Sequence, residues 1–328
     1  MTRLDEKLER IRAGADKRTD FIIADAKDAE MGPGLHGVGP PRLPDGSPPS
    51  LKTRREYIEA IEAVVRQDVI DIMLTSVSNL ETLAQRNAFS ASRVKPAIRA
   101  NDTTDVWRLR GATYHHRASR PFRTASLAHV KALTDLGLYS MTFNNDLDAD
   151  CATLEAFRAF RQDAAAHGFS YFLEVFNPNV DAGLEPESVP GFVNDAIIRC
   201  LAGLTEVERP RFLKVVYNGP KALDELVAFD PSLVVGVLGG GAGTTRDCFE
   251  LIHQAQKHGA RVALFGRKIN LAESPLDIVR LMRAVSDGAL TPLEAVEDYH
   301  EALRKRGVKP MRDLVDDSEI TESTLQQD

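Results

Sequence analysis

The chain lacks the residues that would staple a small secreted fold or hold a thiolate metal cluster. Its three cysteines, Cys151, Cys200 and Cys248, are widely scattered and form no C-x-x-C pair. No apolar run reaches the roughly 18 residues that span a bilayer, and the opening Met-Thr-Arg-Leu-Asp-Glu-Lys has no apolar signal core. We therefore expect a cytoplasmic protein that makes no contact with membranes. A basic stripe is missing as well. The net charge is -7, which argues against nucleic acid as a partner. What remains is 43% hydrophobic and 27% charged residues over 328 positions, enough to build a large core in one or two domains.

Strand-like apolar runs alternate with amphipathic helical segments along most of this length. A charged segment over 2–13, with Leu4, Leu8 and Ile11 on one face, predicts a helix suited to cap the bottom of a barrel. Strands are predicted at 21–25, 69–75, 94–99, 138–143, 170–176, around Lys214, at 233–238 and at 261–265. Helices are predicted near 53–67, after Ser78, and near 122–136, 152–167, 189–204, 220–229, 244–258, 274–287 and 291–306. Strands this continuously apolar belong to parallel sheets covered by helices, and eight strand–helix units close into a (β/α)8 barrel. An open doubly wound sheet is the runner-up. The barrel takes residues 1–310; residues 311–328, acidic and polar, read as a solvated tail. Two long segments, the Gly/Pro-rich loop over 30–50 and the insertion over 103–121, are long enough to serve as lids or as subunit contacts, and the sequence does not decide between these roles.

In such a barrel the chemistry comes from the C-terminal ends of the strands. The polar residues there are Asp25, Arg99, Asn101, Asn144, Asn145, Glu174 and Lys214. Lys214 stands out because it sits inside the apolar run Phe212-Leu-Lys-Val-Val216. Burying an ammonium costs several kcal/mol unless it is paired or deprotonated, and a neutral lysine amine attacks carbonyls to form Schiff bases. Glu174, within Tyr171-Phe-Leu-Glu-Val-Phe176 on the preceding strand, is positioned to share the barrel mouth and to move protons. The bland alternatives are a strand-end lysine that reaches solvent, or an internal ion pair that balances charge. Gly239, Gly240 and Gly241 after strand seven, with Gly266 and Arg267 after strand eight, form an expected anion pocket. Its glycines admit backbone N–H groups, the following helix adds its dipole, and the arginine forks onto phosphate.

These residues resemble the class I, Schiff-base aldolases, in particular the group joining archaeal-type fructose-bisphosphate aldolases and tagatose-1,6-bisphosphate aldolase. The resemblance covers about residues 18–305 and rests on Ala24-Asp25, Phe172-Leu-Glu-Val175, the Lys214 strand, Leu238-Gly-Gly-Gly241 and Phe265-Gly-Arg267. It implies a carbon–carbon lyase that acts on a phosphorylated ketose, in which Lys214 forms the Schiff base, Glu174 transfers protons and Asp25 contacts the carbinolamine. Gly240, Gly241, Gly266 and Arg267 would match the C1-phosphate site, and Gly239, Arg99 and Asn144 are further substrate-binding candidates. No cofactor and no metal are implied, and a homo-oligomer is. The strand-four lysine of the tagatose-bisphosphate branch is Ser140 here, and the archaeal-type tyrosine acid is Phe176, so a monophosphate substrate is at least as compatible as a bisphosphate. Two rival readings are a metal-dependent lyase or isomerase using Glu30, His36, His115 and His116, and a sugar-phosphate sensor without turnover.

Overall fold

The computed structural model describes residues 2–39, 51–239, 241 and 243–327. Eight strands, β1 (Ile22–Lys27), β2 (Ile72–Thr75), β3 (Lys95–Arg99), β4 (Leu136–Thr142), β5 (Ser170–Phe176), β6 (Leu213–Val215), β7 (Val235–Leu238) and β8 (Val262–Phe265), close into a barrel. Every neighbouring pair is parallel, including the closing pair of β1 with β8. The helices are α1 (Arg3–Arg12), α2 (Arg54–Gln67), α3 (Val77–Gln85), α4 (Leu127–Val130), α5 (Leu147–Ala166) and α6 (Val189–Leu201). They continue with α7 (Pro220–Phe229), α8 (Thr245–Lys257), α9 (Arg267–Asn270), α10 (Pro275–Asp287), α11 (Pro292–Lys305) and α12 (Leu314–Asp317). This is the (β/α)8 architecture predicted above. Among the described residues, no helix is long and apolar enough to cross a membrane.

Two apolar cores follow from the strand period of two. One set of alternate residues, including Ile23, Met73, Ile98, Tyr139, Leu173, Leu213, Val235 and Ala263, packs outward against the helices. The other set, Ile22, Ala24, Ile72, Ala97, Leu138, Phe172, Phe212, Val234 and Val262 among them, fills the barrel. The rings of Phe172 and Phe212 stack there at 4.5 Å. Leu4 and Leu8 of α1 join this inner core from below, so the predicted N-terminal cap is present.

Three local differences have physical causes. Strand one does not end at Asp25: it continues to Lys27, whose ammonium neutralises Asp25 at 2.7 and 2.8 Å. The helix predicted over 122–136 is a single turn, α4, because Leu136 is already a strand residue registered with Ser170 and Pro121–Phe122 form a ribbon with Asp102–Thr103. The tail is not left in solvent: Asp317 and Leu325 are buried.

The bottom of the barrel is closed by charge as well as by apolar packing. Asp71, fully buried just before β2, accepts from Arg3 Nε at 2.9 Å, Lys7 Nζ at 3.1 Å, the Ile23 amide at 2.9 Å and Arg283 Nη2 at 2.7 Å. Burial pushes its pKa up, but Arg283, Lys7 and the Ile23 amide outweigh burial and hold it below the ordinary value. Its contribution is therefore present above the unfolded pKa of about 4 and is lost as pH falls through the lower folded value. We expect Asp71→Asn to lose about 3–5 kcal/mol in urea unfolding at pH 7, with a smaller deficit toward pH 3; equal stability at pH 7 would refute this role.

Candidate active site

The inner face changes character one layer above the aromatic plug. Two residues beyond Ala97, Leu138, Phe172, Phe212 and Val234 stand Arg99, Ser140, Glu174, Lys214 and Gly236. Because strand side chains repeat every second residue, the four side chains point into the barrel and Gly236 holds the fifth inward position. Register then sets them side by side: Ser140 pairs with Glu174, Glu174 with Lys214, and Lys214 with Gly236. Gly236 has no room for a side chain, since a Cβ there would lie 2.6 Å from that of Val262.

Lys214 and Glu174, at 6% and 1% exposure, form an ion pair through Nζ and Oε1. The other carboxylate oxygen, Oε2, accepts from Ser140 Oγ at 2.6 Å, and Ser140 Oγ accepts in turn from Arg99 Nη1 at 3.0 Å. Arg99 Nη2 lies 3.6 Å from the same Oε2. Asn101 fixes Ser140 by donating to its carbonyl at 2.8 Å and accepting from its amide at 2.6 Å. Arg99 also donates from Nε to Asp28 and approaches Asp102 at 3.7 Å. The result is a buried chain of charges from β6 through β5 and β4 to β3. One end is the Lys214 nitrogen, held against a carboxylate that can take its proton.

The remaining sequence candidates divide. Asp25 is not in this layer. It shares the outward face of β1 with Ile23 and Lys27, because Ala24 and Ala26 occupy the inward positions, and it is paired to Lys27 rather than to Lys214. Burial raises its pKa, with Lys27 opposing. Period-two counting from Ala24 and Ala26 was the available signal, and the residue it leaves to meet the site is Asp28. Arg99 belongs to the charge layer instead of standing ready for phosphate. Asn144 is a strut: its Oδ1 accepts from the Asn179 amide at 3.0 Å, on the side of the barrel opposite β8.

The glycine side is also more occupied than predicted. Gly239 packs on β8, where a Cβ would meet Phe265 Cδ1 at 2.5 Å, and Gly266 backs onto Ala26. Gly240 lies outside the described residues. Arg267 is exposed at the start of α9, with Arg108 and Glu322 as charged neighbours. The N-terminus of α8, expected to turn its dipole on a ligand, is taken by the chain's own carboxylates. Asp247 accepts from the Thr244 amide at 2.9 Å, and Asp317 accepts from the Thr245 amide at 2.7 Å. Asp247 further binds the tail through the Thr321 amide at 2.7 Å and the Glu322 amide at 3.2 Å. Beyond that anchor, the Glu322 carboxylate lies 2.9 Å from where a Gly241 Cβ would be, and Gln327 lies 2.7 Å from that of Gly219. The tail thus crosses the mouth over the ends of β7 and β6. The proposed metal-ligand set is dispersed: Glu30 is bonded to Ser76 and Asn79, while His36, His115 and His116 are exposed.

No family model and no curated protein matches this sequence. Solved structures do. An archaeal fructose 1,6-bisphosphate aldolase matches with a TM-score of 0.61 at 18% identity, over 87% of this chain and 99% of its own. A Schiff base forming fructose-1,6-bisphosphate aldolase gives 0.62 at 18% identity, over 86% and 99%. A Corynebacterium glutamicum protein gives 0.59 at 18%, over 88% and 98%. The fold is therefore similar to that of these aldolases. At this identity the likeness is one of fold, and it agrees with the resemblance drawn from the strand-end residues.

The tail anchor gives a direct expectation. Asp247→Asn should lower stability by about 1–3 kcal/mol in urea and open the tail to glutamyl endopeptidase after Glu319 and Glu322 before the barrel is cut. Wild-type cleavage rates at those bonds in the variant would contradict the docking described.

Proposed function

We propose that the protein is a class I aldolase that cleaves or forms a phosphorylated ketose through a Schiff base on Lys214. The observation that carries this reading is the buried Lys214–Glu174 pair, set side by side by strand register in the first polar layer of the barrel. A buried pair of this kind does little for stability, because desolvation offsets most of the attraction. Its chemistry is specific. Transfer of the ammonium proton to Glu174 leaves a neutral amine beside its own acid, and the amine adds to the C2 ketone. The protonated carboxyl then returns the proton to the carbinolamine oxygen, water leaves and an iminium forms. Glu174, again ionised, takes the C4 hydroxyl proton; the C3–C4 bond breaks, its electrons drain into the iminium, and an aldehyde departs. The remaining enamine is protonated and hydrolysed, releasing dihydroxyacetone phosphate or a similar ketone.

Ser140 and Arg99 keep Glu174 oriented during this exchange through the 2.6 and 3.0 Å contacts. Arg99 also supplies a cation beside strand four, where Ser140 replaces the lysine of the tagatose-bisphosphate branch. Gly239, Gly240, Gly241, Gly266 and Arg267 are the proposed phosphate-binding set. Glu322 beside Gly241 narrows it, which favours a substrate with one phosphate. A homo-oligomer and a cytoplasmic setting complete the proposal.

Borohydride reduction in the presence of dihydroxyacetone phosphate is expected to leave a stable adduct on the peptide containing Lys214. Lys214→Met should form none and lose at least about 1,000-fold in triose-phosphate release from a panel of phosphorylated ketoses. Full activity in Lys214→Met, or an adduct confined to Lys27 or Lys268, would end the proposal.

A further inference from the structure

Resting on the aldolase reading, one group of the charge layer is left without a task. Asp102 follows β3 in the short ribbon with Phe122 and is 3% exposed. Its Oδ1 is buried and accepts no hydrogen bond; the nearest cation is Arg99 Nη1 at 3.7 Å. Arg99 reaches Glu174 with its other terminal nitrogen, so the two carboxylates flank one guanidinium. The groups facing Asp102 are Arg99 from β3, Asp28 from the loop after β1 and Glu174 from β5. Counting Lys214, which pairs with Glu174, the cluster sets two cations against three carboxylates. In so dry a place an excess negative charge is neutralised by a proton. Asp28 has a direct bond from Arg99, and Glu174 has bonds from Lys214 and Ser140. Asp102 is the carboxylate with an idle oxygen, and the proton falls to it.

The geometry points to Asp102 as the acid that protonates the enamine carbon, so that cleavage and protonation are served by two different carboxyls. Protons balance under this partition. After the C3–C4 bond breaks, Glu174 holds the former C4 hydroxyl proton. The Asp102 O–H bond then breaks, a C3–H bond forms with the enamine electrons, and the C=N iminium is restored. Water adds to C2 and returns one proton to Asp102. The carbinolamine collapses, its hydroxyl proton and the Glu174 proton end on the departing amine as Lys214 ammonium, and both carboxyls regain their resting states. Burial raises Asp102 to about 7, against the pull of Arg99 and with Asp28 and Glu174 adding to the rise, which suits an acid working near neutrality.

Exchange at carbon separates this step from the others. In D2O, wild-type protein with dihydroxyacetone phosphate should incorporate deuterium at the hydroxymethyl carbon, followed by NMR. Asp102→Asn should still give the borohydride adduct on Lys214 and release aldehyde in a single turnover, while its exchange falls at least about 100-fold. Asp102→Glu, which restores an acid, should regain part of that exchange. Wild-type exchange in Asp102→Asn would overturn the assignment. So would loss of the adduct in that variant, since Asp102 would then hold the site together rather than protonate carbon. A wild-type protein that forms no adduct would instead overturn the aldolase reading, and this assignment with it.

Discussion

Parallel register between β5 and β6 is the constraint from which the site follows. It sets Glu174 directly beside Lys214 on the inner face, two residues above a stacked pair of phenylalanines that excludes water from below. A charge facing such a floor can be satisfied only sideways or upward. The sideways partners are the ones seen: Ser140 on β4 donates to the Glu174 carboxylate, and Arg99 on β3 donates to Ser140 and lies 3.6 Å from the same carboxylate oxygen. Each bond to an ionised group is worth about 1.5–3 kcal/mol, enough to hold the carboxylate in one orientation without making the pair a net source of stability. What the fold gains from this layer is a carboxylate held in one orientation beside a buried lysine.

The barrel mouth is divided by charge. The half built from β3 to β6 carries the linked cations and carboxylates, whereas the half built from β7, β8 and the tail is lined by glycines with Arg267 and Glu322 near them. On the proposed reading, the substrate's carbonyl faces the first half and its phosphate the second. The tail is part of the second half. Its anchors are the carboxylates Asp247 and Asp317, which occupy amides at the start of α8, so the helix dipole there stabilises the protein's own acids. On the proposed reading, the substrate's phosphate would meet glycine backbone and Arg267 there, with Glu322 beside them, rather than an open helix end.

The eight strand–helix units were legible in the sequence, because near-continuous apolar runs, which burial on both faces imposes on a strand, and helical apolar spacing are both local patterns. The sequence also singled out Lys214 and Glu174, since a charge inside an apolar strand is conspicuous wherever the strand ends up. Asp25 showed the limit: its place at the expected strand end suggested a site role, but Lys27 extends the strand and turns the pair outward, away from the inner positions of Ala24 and Ala26. Helix 122–136 failed for a similar reason, as strand pairing of Leu136 overrode helical spacing. Only the tertiary structure decided which polar groups share one layer. The union of Asp28, Arg99, Asp102, Ser140 and Glu174 joins five positions spread over nearly 150 residues, and the docking of the tail joins Thr321 to Asp247. Contacts of that kind depend on how strands register and how the barrel closes, and no local pattern of residues encodes them.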